Sequence, residues 1–243
     1  RYPTGWKGKP MTAEFVRVKL CGTTSVEDAR MAEEAGADYV GVLVDIDFSP
    51  RTVDLDEAIV IAASVFADIV VLTYDRSPEW TARVIDETGA AAVQLLGRES
   101  TAVVAELKGM TAAEVWKTVF LPAGESSAGL ERDLVRQMQE YANAGADKLL
   151  VDSVALIDGK PKFGGTGKTH DWDVAQRVIA AAPAPTFLSG GIAAHNAAEA
   201  CAQVRPFGLD LCSGVESSAG RRDPERTAAL MAAARGGRRV GRT

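Results

Sequence analysis

Short apolar runs rich in β-branched residues alternate with amphipathic helical segments along almost the whole of this 243-residue chain. This alternation is typical of repeated strand–helix units, which build a parallel sheet covered by helices. The chain has eight such runs, and eight units favour a closed barrel over an open sheet. The runs cover residues 16–21, 39–44, 68–74, 92–97, 116–121, 148–153, 186–189 and 209–212.

The sequence therefore predicts the α/β class and one domain, a single (β/α)8 TIM barrel over residues 13–235, with flexible termini at 1–12 and 236–243. The length suits a barrel with one core, and 47% of the residues are apolar. Local signals agree with the helices: Ser25 can cap a helix over 26–35 that Gly36 ends, and Pro78 can open a helix that Gly89 ends.

Charge and composition exclude several kinds of partner. The 27 basic and 33 acidic residues give a net charge of −6, and the acidic residues are spread along the chain, so we expect no nucleic-acid partner. No apolar run approaches the roughly 18 residues of a membrane span, so we expect no membrane partner. The three cysteines are too few and too scattered for a disulfide framework, which favours reduced thiols and a cytoplasmic protein.

Three segments in the last third of the chain combine glycine with hydroxyl residues. Glycine leaves backbone N–H groups open, and N–H groups at a helix N-terminus bind anions. Barrels often place a phosphate site after the seventh and eighth strands. Each segment alone would suit an ordinary turn, whereas together they predict a phosphorylated small-molecule ligand bound by Gly164, Gly165, Thr166, Gly167, Ser189, Gly190, Gly191, Ser213 and Gly214.

Two residues end predicted strands at the rim where barrel enzymes hold their active sites. Cys21 ends the first run, and a single cysteine there is either a small buried apolar residue or a group that faces the site. Asp152 ends the sixth run, and an acid is costly to bury without a partner. Asp152 is therefore either a cap or loop anchor, or a carboxylate with a chemical role.

Other polar residues allow two interpretations each. Arg51 follows the second run, where its guanidinium can be solvated or can grip a substrate carboxylate with two parallel hydrogen bonds. Lys19 lies two residues before Cys21 and shares its strand face, so it can reach the barrel interior. His170 and His195 are isolated near predicted helix starts, and two isolated histidines make no metal site.

At these positions the chain resembles the phosphoribosylanthranilate isomerase family of tryptophan biosynthesis, which belongs to the ribulose-phosphate-binding barrels. The resemblance extends from about residue 16 to residue 235, and its segments occur in the family's order. They are VKLCG at 18–22 with Thr24, EDA at 27–29, GAD at 36–38, SPR at 49–51 with Val53, VQL at 93–95, LVDS at 150–153, GGTG at 164–167 with DW at 171–172, LSGG at 188–191 and SGVE at 213–216.

The resemblance implies a barrel enzyme that works without a cofactor, as a monomer or homodimer. It implies an Amadori rearrangement of N-(5-phosphoribosyl)anthranilate to 1-(2-carboxyphenylamino)-1-deoxyribulose 5-phosphate, the third step from chorismate to tryptophan. It places the family's general base on Cys21 and its general acid on Asp152. The thiol suits this role only if its pKa is lowered toward neutrality, and the carboxyl must keep a proton part of the time.

The chain departs from the family pattern at several positions, some of them where the aromatic half of the substrate would lie. Asp45 and Asp47 precede Arg51 in a longer loop, Leu96 stands where histidine is common, Cys212 replaces a usual serine, and segment 154–163 is longer. Other functions therefore stay open: an isomerase or lyase of the same superfamily acting on a related N-phosphoribosyl amine, or a non-catalytic phosphate-binding barrel. Retention of both the base and the acid argues against the last.

Overall fold

The computed structural model describes residues 16–122, 128–157, 160–163 and 172–236. In this part of the chain, eight parallel strands close into a barrel with helices between them, which confirms the predicted (β/α)8 fold. The strands are β1 (Arg17–Leu20), β2 (Tyr39–Val44), β3 (Thr52–Val53), β4 (Asp68–Thr73), β5 (Ala92–Leu95), β6 (Glu114–Pro122), β7 (Lys148–Ile157), β8 (Lys160–Phe163), β9 (Thr186–Leu188), β10 (Gly208–Leu211), β11 (Glu216–Ser218) and β12 (Arg221–Arg222). The helices are α1 (Val26–Glu34), α2 (Leu55–Ala62), α3 (Pro78–Thr88), α4 (Thr101–Met110), α5 (Ala128–Asn143), α6 (Trp172–Ala180), α7 (Ala197–Val204) and α8 (Pro224–Gly236).

The barrel closes at β1, which pairs in parallel with β2 on one side and with β10 on the other. Around the barrel the strands follow the order β1, β2, β4, β5, β6, β7, β9 and β10. Each of the eight predicted strands is therefore confirmed. Because all eight run in parallel, their C-terminal ends share one rim, and residues that end different strands are brought together there.

The remaining strands extend this rim. β3 adds to β2, and β11 pairs with β12 in an antiparallel ladder. β7 continues to Ile157 and pairs antiparallel with β8. The longer segment at 154–163 noted in the sequence thus carries an extension of the sixth barrel strand and a strand that returns along it.

The helix ends follow the local sequence signals. Ser25 accepts a hydrogen bond from the Asp28 N–H at 3.1 Å and caps α1, as predicted. α3 begins at Pro78 and ends before Gly89, whose φ of +63° is the left-handed conformation that glycine adopts without strain. Among the described residues, no helix is long and apolar enough to cross a lipid bilayer.

The barrel interior is layered. Near the N-terminal ends of the strands, Trp116 stacks on Phe187 at 5.1 Å between ring centroids and meets the ring of Tyr39 edge-on at 5.0 Å. Outward-facing residues of the same strands pack against the helices in one large apolar cluster. This aromatic layer fills the interior below the C-terminal rim.

Candidate active site

The base and the acid expected from the sequence both lie at the C-terminal rim. Cys21 follows β1, and its N–H donates to the Leu211 carbonyl oxygen of β10 at 2.8 Å. Asp152 lies on β7, two residues after Leu150, which belongs to the interior layer. Residues two apart on a strand share a face, so Asp152 also faces the interior. Cys21 is 7% exposed and Asp152 is 8% exposed, so both groups are nearly shielded from water.

The thiol of Cys21 lies in an apolar cluster at the rim. Its buried partners are Leu43, Ile46 and Leu72, and the partly buried residues packed on them are Tyr74, Leu96 and Cys212. Leu96 is thus an apolar group beside the proposed base, where the family pattern has a histidine. A cluster of this composition excludes water from the thiol and can accept the apolar face of a ring.

A buried ion pair lies directly below the thiol. Lys19 Nζ donates to Asp210 Oδ1 at 2.8 Å, and the exposed fractions of the two side chains are 0% and 8%. Lys19 on β1 and Asp210 on β10 are direct register partners. Lys19 shares a strand face with Cys21, so the sequence-based expectation that it reaches the barrel interior is confirmed.

The electrostatics of Cys21 bear on the condition that its role as a base requires. Burial raises the pKa of the Cys21 thiol above its ordinary value, and the positive charge of Lys19 opposes that rise without cancelling it. The base role requires a pKa lowered toward neutrality, whereas here desolvation of the thiolate outweighs the neighbouring ammonium. The thiolate is a minor form at neutral pH.

Cys212 lies beside Cys21, because each cysteine directly follows one member of the register pair Leu20–Leu211 of β1 and β10. Burial also raises the pKa of the Cys212 thiol, well above its ordinary value. All three cysteines of the chain carry free thiols. Cys212 therefore contributes a neutral group next to the base.

Arg51 reaches the same rim and is held there by Glu216. Its Nε donates to Oε1 and its Nη2 donates to Oε2, each at 2.7 Å. The hydrogen bonds to Glu216 raise the pKa of Arg51, so the guanidinium stays charged. The acid that pairs with Arg51 is thus Glu216 at the start of β11, rather than Asp45 or Asp47, which precede Arg51 in the sequence.

Two of the three glycine-rich segments lie side by side at the rim. Gly190 and Gly191 have φ values of +92° and +67°, and a methyl group on Gly214 would meet the Ile192 carbonyl oxygen at 2.2 Å. Asn196 fixes the loop at Ser189–Gly191, because its side chain donates to the Gly191 carbonyl oxygen at 3.0 Å and accepts the Ala193 N–H at 2.8 Å. Glycine is required here both for backbone conformation and for close approach.

Of the three glycine-rich segments, the second, Ser189–Gly191, follows β9. The third begins a short 3₁₀ turn over Ser213–Val215 after β10. A cavity of about 600 Å³ adjoins them, and its lining includes Ser213, Gly214, His195 and Arg226. The first loop, with Gly164, Gly165, Thr166 and Gly167, lies outside the described residues, as does His170. Within the described ranges, no group of three His, Cys, Asp or Glu side chains is placed to hold a metal ion.

The sequence reasoning missed two features of this site. Asp210 and Glu216 were not singled out as partners of Lys19 and Arg51, and only Asp210 follows the strand-face spacing of a barrel strand. Asp210 lies two residues before Cys212, as Lys19 does before Cys21, so β1 and β10 present matching pairs to the interior.

Comparison with known proteins identifies the relatives of this chain. The sequence profile of the family described as N-(5′-phosphoribosyl)anthranilate (PRA) isomerase matches residues 18–233. A protein from Methanocella arvoryzae, named N-(5′-phosphoribosyl)anthranilate isomerase, is 32% identical over 212 residues, which cover 86% of this chain and 93% of that protein.

Solved structures agree with the sequence relatives. Phosphoribosyl anthranilate isomerase from Thermotoga maritima matches with a TM-score of 0.76 at 30% identity, covering 90% of this chain and 98% of that one. A phosphoribosyl anthranilate isomerase in complex with reduced 1-(o-carboxyphenylamino)-1-deoxyribulose 5-phosphate matches with a TM-score of 0.74 at 27% identity, with the same coverage.

Proposed function

This chain belongs to the N-(5′-phosphoribosyl)anthranilate isomerase family, and we propose that Cys21 and Asp152 carry the two proton transfers of its reaction. The enzyme converts phosphoribosylanthranilate to 1-(2-carboxyphenylamino)-1-deoxyribulose 5-phosphate in tryptophan biosynthesis. The observation that carries the proposal is the placement of a shielded thiol and a shielded carboxyl at the same barrel rim. The reaction moves hydrogen within one molecule, so the proposed steps use no external oxidant or reductant.

The first step opens the ribose ring. Asp152, as a carboxylic acid, gives its proton to the ring oxygen while the bond between that oxygen and C1 breaks. The nitrogen lone pair forms the C1=N bond of a protonated Schiff base, and Asp152 is left as a carboxylate. Its low exposure keeps bulk water from the carboxyl during the transfer.

The second step forms the enolamine. Cys21, as a thiolate, takes the proton from C2, and the electrons of that C–H bond form C1=C2 while the C1=N electrons return to nitrogen. The enolamine then loses the proton of its C2 hydroxyl and gains one at C1, which gives the ketone. The apolar cluster around Cys21 keeps water from competing for the reactive intermediate.

We assign the ends of the substrate to two other parts of the rim. The phosphate lies against the backbone N–H groups of the loops at Gly164–Gly167, Ser189–Gly191 and Ser213–Gly214, as their glycine content favours. The carboxylate of the anthranilate lies on Arg51. A guanidinium has five N–H donors, and Glu216 takes two of them, so donors remain for the substrate.

The roles proposed for the thiols also bear on where the enzyme works. Cys21 acts as a base only while it stays reduced, and Cys212 lies beside it with a free thiol. A reducing compartment preserves both, which supports a cytoplasmic enzyme. Its partner is the phosphorylated substrate, and it works as a monomer or a homodimer.

The test is turnover of freshly made phosphoribosylanthranilate, followed by the loss of anthranilate-type fluorescence. Cys21→Ser and Asp152→Asn are each expected to lower kcat about a hundredfold or more, the usual scale for a positioned acid or base. Cys201→Ala is the matched control, because Cys201 is a buried thiol on α7, away from the rim. Wild-type rates in both rim variants would overturn the proposed roles.

A further inference from the structure

We propose that Lys19, held in place by Asp210, is a positioning residue that keeps a positive charge below the Cys21 sulfur and so increases the share of Cys21 that is thiolate. The inference rests on the proposed role of Cys21 as the base. Lys19 acts through Cys21 and needs no contact with the substrate.

The geometry places the two groups at one point of the barrel interior. Lys19 and Cys21 are two residues apart on β1 and face the same way. A methyl group built on Gly41 of the neighbouring strand β2 would meet Cys21 Sγ at 2.9 Å and Lys19 Cε at 3.0 Å. Gly41 thus leaves the space that lets the lysine side chain pass close to the sulfur.

A buried ion pair is by itself weak evidence of a role in stability. Replacing a buried ion pair by apolar residues is often neutral or stabilising, because both charges must leave water. The other fully buried lysine, Lys117, has a structural use: it pairs with Glu99 and donates to the carbonyl oxygens of Leu95 and Gly97, which fixes the chain after β5. Among the described residues, Lys19 donates to no backbone carbonyl, so its charge has no comparable structural use.

The charge of Lys19 is secure. Burial alone would lower the pKa of Lys19, but Asp210 and, after it, Cys21 together outweigh burial and raise that pKa above its ordinary value. Lys19 therefore stays an ammonium wherever the enzyme is active. The negative charge of Asp210 raises the pKa of Cys21, but this effect is smaller than the opposite effect of Lys19.

Other charged and titratable groups also face the thiol. Arg51 from the chain after β2 and Arg222 from β12 act on Cys21 as positive charges, and Cys212 from the chain after β10 is a second thiol. Arg51 is partly neutralised by its ion pair with Glu216 at 2.7 Å. Lys19 is the positive charge with the largest influence on the pKa of Cys21.

This arrangement has a kinetic signature. In the reactive form of the enzyme, Cys21 is a thiolate and Asp152 is a protonated acid. The fraction of enzyme in this form falls at high pH, where both groups have lost their protons. The alkaline limb of the pH profile of kcat/KM thus reports the pKa of Cys21. Removing Lys19 moves that limb to higher pH. It also lowers the plateau of kcat/KM tenfold for each pH unit of that movement, because Cys21 is a thiolate in a smaller fraction of the enzyme.

The experiment compares pH profiles of kcat/KM for the wild type, Lys19→Met and Lys117→Met. An opposite charge at this range shifts a pKa by about 1–3 units, so the alkaline limb of Lys19→Met is expected about 1–3 pH units higher, with a plateau about 10- to 1,000-fold lower. Lys117→Met loses an equally buried lysine that lies on the outer side of the barrel, so its limb is expected to stay at the wild-type pH. A Lys19→Met limb at the wild-type pH would overturn the proposal, whatever the height of its plateau.

Lys19→Met leaves Asp210 unpaired, so a second variant guards against failure to fold. Lys19→Met/Asp210→Val removes both charges. Its alkaline limb is still expected at higher pH than that of the wild type, because Lys19 affects the pKa of Cys21 more than Asp210 does. Cys21→Ser in the same assay separates the two proposals. An active Cys21→Ser enzyme would refute the assignment of the base, whereas an inactive one combined with unmoved limbs in the lysine variants would refute the role of Lys19 alone.

Discussion

Arg51 and Glu216 form a two-pronged ion pair at the barrel rim, with both N–O distances at 2.7 Å. Glu216 also accepts the N–H of Gly220 at 3.1 Å, which fixes its carboxylate against the turn before β12. The pair therefore orients the guanidinium and partly neutralises it. Orientation bears on the free energy of unfolding, and partial neutralisation bears on how tightly Arg51 binds a substrate carboxylate.

Arg51→Ala is expected to raise KM for phosphoribosylanthranilate about ten- to a hundredfold and to change kcat much less. The variant loses charge-assisted hydrogen bonds worth about 1.5–3 kcal/mol to the carboxylate, which forms equally in the ground and transition states. Steady-state kinetics give both constants. The Asp45→Asn/Asp47→Asn double variant is the control and should keep the wild-type KM, because Glu216 is the partner of Arg51. An unchanged KM in Arg51→Ala would contradict the assignment.

Glu216→Gln is expected to lower the free energy of unfolding by about 1.5–3 kcal/mol, because one strong hydrogen bond to a largely buried guanidinium is lost. Urea denaturation measures the change. Glu225→Gln on the exposed side of α8 is the control, and a surface change of this kind should stay within about 0.5 kcal/mol. Equal stability of the two variants would show that the pair adds nothing to the fold.

Gly41→Ala is expected to lower kcat at least about tenfold and to destabilise the fold by about 1–3 kcal/mol, the usual range for overpacking. The added methyl group would meet Cys21 Sγ at 2.9 Å and Lys19 Cε at 3.0 Å. It would therefore move Cys21, the proposed base, away from the ammonium group of Lys19. Gly109→Ala in α4, where the methyl group would meet nothing within 4 Å, should instead stabilise by about 0.5–1 kcal/mol. Full activity in Gly41→Ala would argue that the base tolerates displacement.

Gly191→Ala is expected to weaken competitive inhibition by inorganic phosphate at least about tenfold, because its φ of +67° is strained for alanine and the loop must move. Inhibition constants measured against phosphoribosylanthranilate provide the comparison. Gly89→Ala carries the same kind of strain at φ +63°, far from the rim, and should bind phosphate like the wild type. Equal weakening in both variants would mean that strain alone is responsible.

Cys21 is expected to react with iodoacetamide more slowly at pH 7 than an ordinary cysteine, and to gain about tenfold in rate for each pH unit to beyond pH 9. Only the thiolate reacts, and burial raises the pKa of Cys21 above the ordinary value of about 8.5. Mass spectrometry of the Cys21 peptide in a Cys201→Ala/Cys212→Ser background isolates the signal. A rate that levels off below pH 8 would show that the pKa is not raised.

The strands and the rim could be predicted from the sequence because each depends on local pattern. Eight apolar runs gave eight barrel strands, and parallel strands necessarily collect Cys21 and Asp152 at one end. The caps of α1 and α3 likewise follow from Ser25 and Pro78, whose chemistry acts within a few residues. The first phosphate loop, at 164–167, lies outside the described residues and stays a prediction.

The partners at the site could not be predicted from local pattern. Lys19 meets Asp210 across 191 positions and Arg51 meets Glu216 across 165, and both contacts exist only once the barrel has closed. The shift in the pKa of Cys21 could not be predicted either, because burial of the thiol and the charge of Lys19 act in opposite directions. Its direction depends on how completely the rim cluster excludes water, which is a property of packing.

The strand that completes the barrel is also the last of the eight to be synthesised. Until β10 has left the ribosome, β1 and β9 present open edges, and Lys19 has no carboxylate to pair with. A chain that stops before residue 208 thus contains Cys21 and Asp152 but has neither a closed interior nor a shielded thiol. Contacts across so many residues also make closure a slow event in folding. Isomerase activity in a translation reaction should therefore appear only with the full barrel, which makes it a direct readout of chain completion.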